Sequence, residues 1–189
     1  MKQASTVASA WRRSHAGTPP VGFTMREDHP DAWVRLHTLP HGKRIPSSES
    51  ERHTVLDRWN QVARLVFEAP GTVRVFVLEA GPTGASGHCR TLMEQTGLRQ
   101  VSRRPAEWLR RLDVYMDMSE AAFWAGTLGW AAGCLDTLIL AAAMDDVGPV
   151  TVFSMERGDA LCPYDGGVDS FLREPLRTSV ATVFREWVA

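Results

Sequence analysis

PVTVFSMERGDALCPYDGGVD, residues 149–169, is the stretch on which the reading of the fold turns. Val150, Val152 and Ser154 alternate with Thr151, Phe153 and Met155, so both faces of the segment are largely apolar. That pattern fits a strand covered on both sides. Glu156-Arg157-Gly158-Asp159 reads as a turn, with Gly158 free to take positive φ. Residues 160–162 return as a second strand, and Pro163, which has no N–H to donate, is expected to end the ladder. Tyr164-Asp165-Gly166-Gly167 then makes a sharp corner leading to a last helix. An Asx-type turn at Asp165 predicts positive φ for at least one of the two glycines.

Working outward, the β-branched run TVRVFVLE at 72–79 predicts a central strand, so 73–78 and 150–153 are expected as the inner strands of the sheet. Residues 31–38 read as a strand, with Ala32, Val34, Leu36 and Thr38 on one face and Trp33, Arg35 and His37 on the other. Pro40, Gly42 and Pro46 force an irregular loop that carries His41, Lys43 and Arg44. A helix is predicted over 48–68. Ser48 and Glu51 have capping-box spacing, Ser47 is the alternative cap, and Val55, Leu56, Trp59, Val62, Ala63, Val66 and Phe67 form its apolar stripe. Short helices are expected over 88–95 and around Trp108. Residues 112–118 alternate, with Leu112, Val114, Met116 and Met118 against Asp113, Tyr115 and Asp117, and are read as a strand. A further strand over 123–130, an alanine-rich helix over 131–144 and a final helix opened by Pro175 complete the order. Strict βαβ alternation is absent. The expected fold is α+β: one domain over 26–189, a mixed or mainly antiparallel sheet with helices packed on its faces. A loosely held arm over 1–25 precedes it.

Bulk properties narrow the function classes. The 189 residues are 44% apolar and 23% charged, with a formal net charge of −1. That balance gives no reason to expect nucleic acid or an anionic membrane as partner. Cys89, Cys134 and Cys162 are far apart and form no CxxC pair, which points to a reducing, cytoplasmic setting. No secretory leader is read at the N-terminus, and the longest apolar stretch, 121–144, is broken by three glycines and Asp136. Seven tryptophans are read as core bulk, with a stacking platform for a ring ligand as the alternative.

The motifs that could carry chemistry are sparse. Gly81, Gly84 and Gly87 match neither the dinucleotide fingerprint nor a P-loop, and the segment reads as a surface loop. His37 and His41 straddle a strand end and a proline, without a carboxylate or thiolate at matching spacing, so no metal and no cofactor are expected. There is no Gly-x-Ser-x-Gly elbow, and Cys162 reads as an inert buried thiol. What remains is composite. Trp33, Arg35 and His37 share a strand face, Lys43 and Arg44 follow it, Tyr115 shares a second strand face with two aspartates, and Tyr164, Asp165 and Asp169 flank the Gly-Gly corner. Either these nine residues build a binding site, or they are a polar network that fastens strands and loops together.

Two of these stretches also carry a resemblance. Trp33-x-Arg35-x-His37-x-Leu39-Pro40-x-x-Lys43-Arg44 and Tyr164-Asp165-Gly166-Gly167-x-Asp169 resemble an uncharacterised family of small bacterial proteins with the same early and late motifs. The chain departs from the Trp-Leu-Ser-like ending of many of them at Trp187-Val188-Ala189. The resemblance implies no activity, since none is established for that group.

The reading is a non-catalytic binding protein of the bacterial cytosol that takes a protein partner or a small ligand, an immunity or antitoxin-like protein being one concrete version. The competing reading is an enzyme on a small anionic substrate. There Arg35, Lys43 and Arg44 would hold the anion while His37 or an aspartate acts as general acid or base. Convergence of those cations with His37 and Asp165 in one pocket separates the two.

Overall fold

The structure is a computed structural model that describes residues 11–15, 17–67, 71–79, 87–101, 106–118, 121–154 and 156–189. Among the described residues seven strands form one sheet: β1 (Trp33–His37), β2 (Gly71–Glu79), β3 (Arg99–Gln100), β4 (Ala122–Trp130), β5 (Val150–Ser154), β6 (Ala160–Tyr164) and β7 (Gly167–Phe171). Their order is β1-β7-β6-β5-β2-β4-β3, and every adjacent pair is antiparallel. The helices are α1 (Gly22–Asp28), α2 (Glu49–Val66), α3 (Gly87–Gln95), α4 (Ala106–Leu112), α5 (Asp136–Ala143) and α6 (Leu176–Val183). This is a single α+β domain, and β2 and β5 are inner strands as their composition predicts.

The period-2 pattern of the strands builds two cores, one on each face of the sheet. Val73, Val75, Val77, Val150, Val152 and Leu161 point to one side, where Trp59 and Val62 of α2, Leu138 of α5 and Val180 of α6 cover them. Phe76, Leu78, Phe153, Ala160 and Cys162 point to the other, under Trp11, Val21 and Met25 and against Trp108 and Leu112 of α4. Of the seven indoles, those at 11, 59, 108, 124 and 130 are buried, which is the core-bulk reading. Within the stretch expected to be a loosely held arm, Trp11, Val21 and Met25 belong to this second core. Trp11 is fully buried, stacks on His15 at 4.0 Å and donates its indole N–H to the Thr18 carbonyl.

Helix α2 starts as predicted, with one shift. Ser48 Oγ accepts the Glu51 N–H, but the Glu51 carboxylate reaches back to the N–H of Ser47, one residue further than the ordinary box. Gly158 has φ +72, as its turn requires. Other expectations are corrected. Residues 112–118 are not a strand: Leu112 ends α4, whose apolar Trp108 and Leu112 sit one turn apart, and residues 113–116 continue as turns. Seven alternating residues are too few to separate a strand from a helix end. The Gly81–Gly87 loop falls mostly on residues outside those described.

The hairpin after Cys162 differs most from expectation. Pro163 lies inside β6, opposite Val168 of β7. The β5 ladder reaches only Ala160 and Leu161, so at Pro163 the strand has a neighbour on one side alone and its missing N–H is tolerated. Residues 165–166 are the turn, and 167–171 return as a strand, not as the lead into a helix. Neither Gly166 nor Gly167 has positive φ. Gly167 is needed for another reason: a Cβ there would stand 2.2 Å from the Leu36 carbonyl oxygen of β1. The free edge of β1 is closed by the chain's end, where His37 N–H donates to Trp187 O and Ala189 N–H to Arg35 O.

Candidate functional site

Strands β1, β7 and β6 lie side by side, and their register sets the two early and late motifs in rows. Trp33, Phe171 and Ala160 form one row; Arg35, Asp169 and Cys162 the next; His37, Gly167 and Tyr164 the third. Phe171, Ala160 and Cys162 belong to the core under α1. Alternation therefore brings Trp33, Arg35, Asp169 and Tyr164 to that same face.

Asp169 is its centre. It is buried, and its Oδ1 accepts from the Trp33 indole N–H and from Arg35 Nε, both at 2.9 Å, while Oδ2 accepts from Arg35 Nη2 at 3.0 Å. This is a two-point fork with a third donor, the geometry that makes a charge pair strong. The bond to Asp169 also raises the Arg35 pKa above its ordinary value. The Arg35 guanidinium lies 5.3 Å from the Trp33 ring centre and 5.2 Å from that of Tyr164, and Arg26 of α1 lies 5.6 Å from Trp33. At the turn, Arg44 pairs with Asp165 at 2.5 Å.

Beside this network lies a cavity of about 260 Å³. Gly22, Phe23 and Arg26 of α1 form one wall, Arg35, Cys162, Tyr164, Asp165 and Asp169 the floor and edge, and the segment from Asp145 to Val150 the opposite wall. Gly22 lets α1 come this close, since a Cβ there would meet that of Cys162 at 3.2 Å. Burial pushes the Tyr164 phenol up to about 12, helped by the Asp169 charge, and pushes the Cys162 thiol up to about 12 as well. Both are neutral at pH 7.

Three of the nine predicted residues lie elsewhere. Lys43 donates to Glu51 and to Ser47 Oγ at the start of α2, and that contact, with the Ser47 N–H, lowers the Glu51 carboxyl to about 2. His37 lines a separate, open cavity of about 520 Å³ with His41, Arg58 and Trp187. Tyr115 is not on a strand facing β1. Its phenol donates to Glu27 and its ring packs on Phe23 at 4.8 Å, outside the cavity lining. The cations and His37 thus do not converge in one pocket. Among the described residues, no group of three or more His, Cys, Asp or Glu could hold a metal, and no helix is long and apolar enough to cross a membrane.

Sequence reasoning missed Gly22, Phe23, Arg26 and the 145–150 wall. A signal existed for the first three. Val21, which caps α1, and Met25, four apart and both fully buried, mark its inner face, and that spacing would have placed Arg26 at the edge of the same face.

A domain of unknown function, DUF3885, matches residues 21–188. The chain belongs to this family. No curated protein and no solved structure matches it. The DUF3885 match runs from Val21, at the start of α1, to Val188, so every wall of the cavity lies within it, as do both motifs.

Proposed function

We propose that this DUF3885 domain binds a small molecule in the cavity beneath α1, without catalysis of its own, in a bacterial cytosol suited to its free thiols. The observation that carries the reading is the cavity's make-up: mostly apolar walls and a polar floor already paired internally. Arg35, Asp169 and Trp33 satisfy one another, and such a preformed, rigid lining suits recognition. The groups that could do chemistry there are poorly placed for it. Tyr164 and Cys162, both raised to about 12, are weak bases and nucleophiles at neutral pH in their protonated forms.

The competing enzyme would hold an anion with Arg35, Lys43 and Arg44 and use His37 or an aspartate as acid or base. It is less supported, because Lys43 pairs with Glu51, His37 lines the separate cavity, and Asp169 and Asp165 are already paired with Arg35 and Arg44. The protein-partner version, immunity or antitoxin-like, calls for a continuous apolar face. Among the described residues the exposed large apolar side chains are Ile45, Leu65, Val114, Tyr115, Val183 and Val188. They are spread over separate elements, which is ordinary for a protein surface. The small-ligand version is therefore preferred.

A thermal-shift screen of neutral, anionic, cationic and zwitterionic small molecules tests it, run on the parent and on Val147→Phe, which narrows the cavity. Compounds that stabilise the parent and not the variant support the reading. Stabilisation that survives in the variant, or a screen without any stabilising compound, counts against it.

A further inference from the structure

We propose that the occupant of this cavity is a small zwitterion with an aliphatic body: one carboxylate and one ammonium on a short hydrocarbon frame. The proposal rests on the small-ligand reading above and names its ligand class. It follows from which charges around the cavity are already answered. The lining carries Arg26, Arg35, Asp145, Asp165 and Asp169. Asp169 is taken by Arg35, and Asp165 by Arg44. One charge of each sign is left. Arg26 rests on the Trp33 ring and, among the described residues, has no carboxylate partner; Asp145, just past the end of α5, has no cationic one.

A ligand bearing only an anion would answer Arg26 and set a second negative charge near Asp145. A lone cation would do the reverse. A neutral molecule would strip water from the half-buried Arg26, and to a smaller extent from Asp145, and return nothing, which is costly for charged groups. A zwitterion answers both. Apart from the Tyr164 phenol and the Cys162 thiol, the rest of the lining, with Val21, Phe23, Val147, Val150 and Pro163, is largely apolar, so the body between or beyond the charges is hydrocarbon. The two ends are unequal. Arg26 is half-buried against Trp33, with Arg35 beside it, whereas Asp145 is exposed. The carboxylate end therefore carries more of the affinity, since exposed pairs contribute little.

Calorimetric titration of the full chain tests this with two isomers of about nine non-hydrogen atoms, norleucine and 6-aminohexanoate, against hexanoate, hexylamine and 1-hexanol. One of the two isomers is expected to bind at least about tenfold more tightly than each of the three controls. Arg26→Gln should weaken that isomer and hexanoate by about tenfold and leave hexylamine and hexanol unchanged. Asp145→Asn should weaken the isomer and hexylamine by about threefold. Both side chains are at least partly exposed, and unchanged melting of the variants confirms an intact fold. Equal binding of hexanol and the isomers, insensitive to Arg26→Gln, overturns the zwitterion while leaving a small-ligand cavity in place. Absence of binding by all five also overturns it, and the wider screen then decides the cavity reading separately.

Discussion

Replacing Gly167 with Ala presses a methyl group into β1 and tests the register that holds the site together. The added Cβ would stand 2.2 Å from Leu36 O and 3.1 Å from its carbonyl carbon, against 3.4–4 Å for ordinary contact. Backbone atoms cannot swing aside as a side chain can, so β1 and β7 must part by about 1 Å at this end. The damage falls where His37 pairs with Gly167 and Leu36 with Val168. Two weakened ladder bonds at about 1 kcal/mol each and about 1 kcal/mol of packing strain give a loss of about 3 kcal/mol. For a chain of this size that lowers Tm by about 6–12 °C. Gly129 on β4 is the control: it is also in a strand, but a Cβ there meets nothing within 4 Å, and Ala should be neutral or stabilising by about 0.5 kcal/mol. Urea titration and thermal melting of the two variants beside the parent supply the numbers. If Gly167→Ala melts within about 2 °C of the parent, the close approach places no constraint on the β1–β7 register and the reasoning is refuted.

Burial lowers the His15 pKa from 6.5 to about 4, and its Nε2 lies 2.8 Å from the Gly158 carbonyl, which makes that nitrogen the N–H donor. The unfolded chain takes up the proton first as pH falls, so stability is full above pH 6.5 and declines toward pH 4. Between pH 7 and 5 the loss from this group is about 2 kcal/mol, and urea titrations at the two pH values should show that part of the slope vanish in His15→Phe. Asp169→Ala leaves the Trp33 N–H and the partly exposed Arg35 without their acceptor and should cost about 2–3 kcal/mol, whereas Lys43→Ala, at the exposed start of α2, should cost under about 1 kcal/mol; equal losses by denaturant titration would remove Asp169 from the centre of the network. Trp59 is fully buried, so Trp59→Ala should cost about 3–5 kcal/mol, and a loss near zero would show that α2 does not hold the first core as described.

What the sequence disclosed followed from how local each signal was. The inner strands were legible because residues 73–78 and 150–153 are apolar on both faces, a pattern that little besides double-sided cover produces. The α2 cap and stripe were legible because eighteen residues repeat the period several times. Asp169 and Arg35 stood out through the charged motifs around them, which already suggested that they lie close together; that they do so on neighbouring strands depended on β7, which was hidden. Pro163 looked like a strand end, and only the short β5 ladder accounts for its being tolerated. Gly166-Gly167 advertised a conformational need, while the requirement at Gly167 comes from a strand distant in sequence. Residues 112–118 misled because a helix end followed by turns can alternate by chance, and that error put Tyr115 opposite the wrong strand. The cavity itself joins α1, β6, β7 and the 145–150 segment, and no local pattern encodes that meeting.

The central claim is that the space beneath α1 is a ligand site. An amide NMR titration of the isotopically labelled chain with the tightest-binding compound from the screen tests it most directly. Saturable, one-to-one shifts are expected, centred on Arg26, Val147, Val150, Cys162 and Tyr164, with the α2 and β4 signals unmoved. Shifts centred instead on His37, His41 and Trp187, or on Val114 and Tyr115, would contradict it.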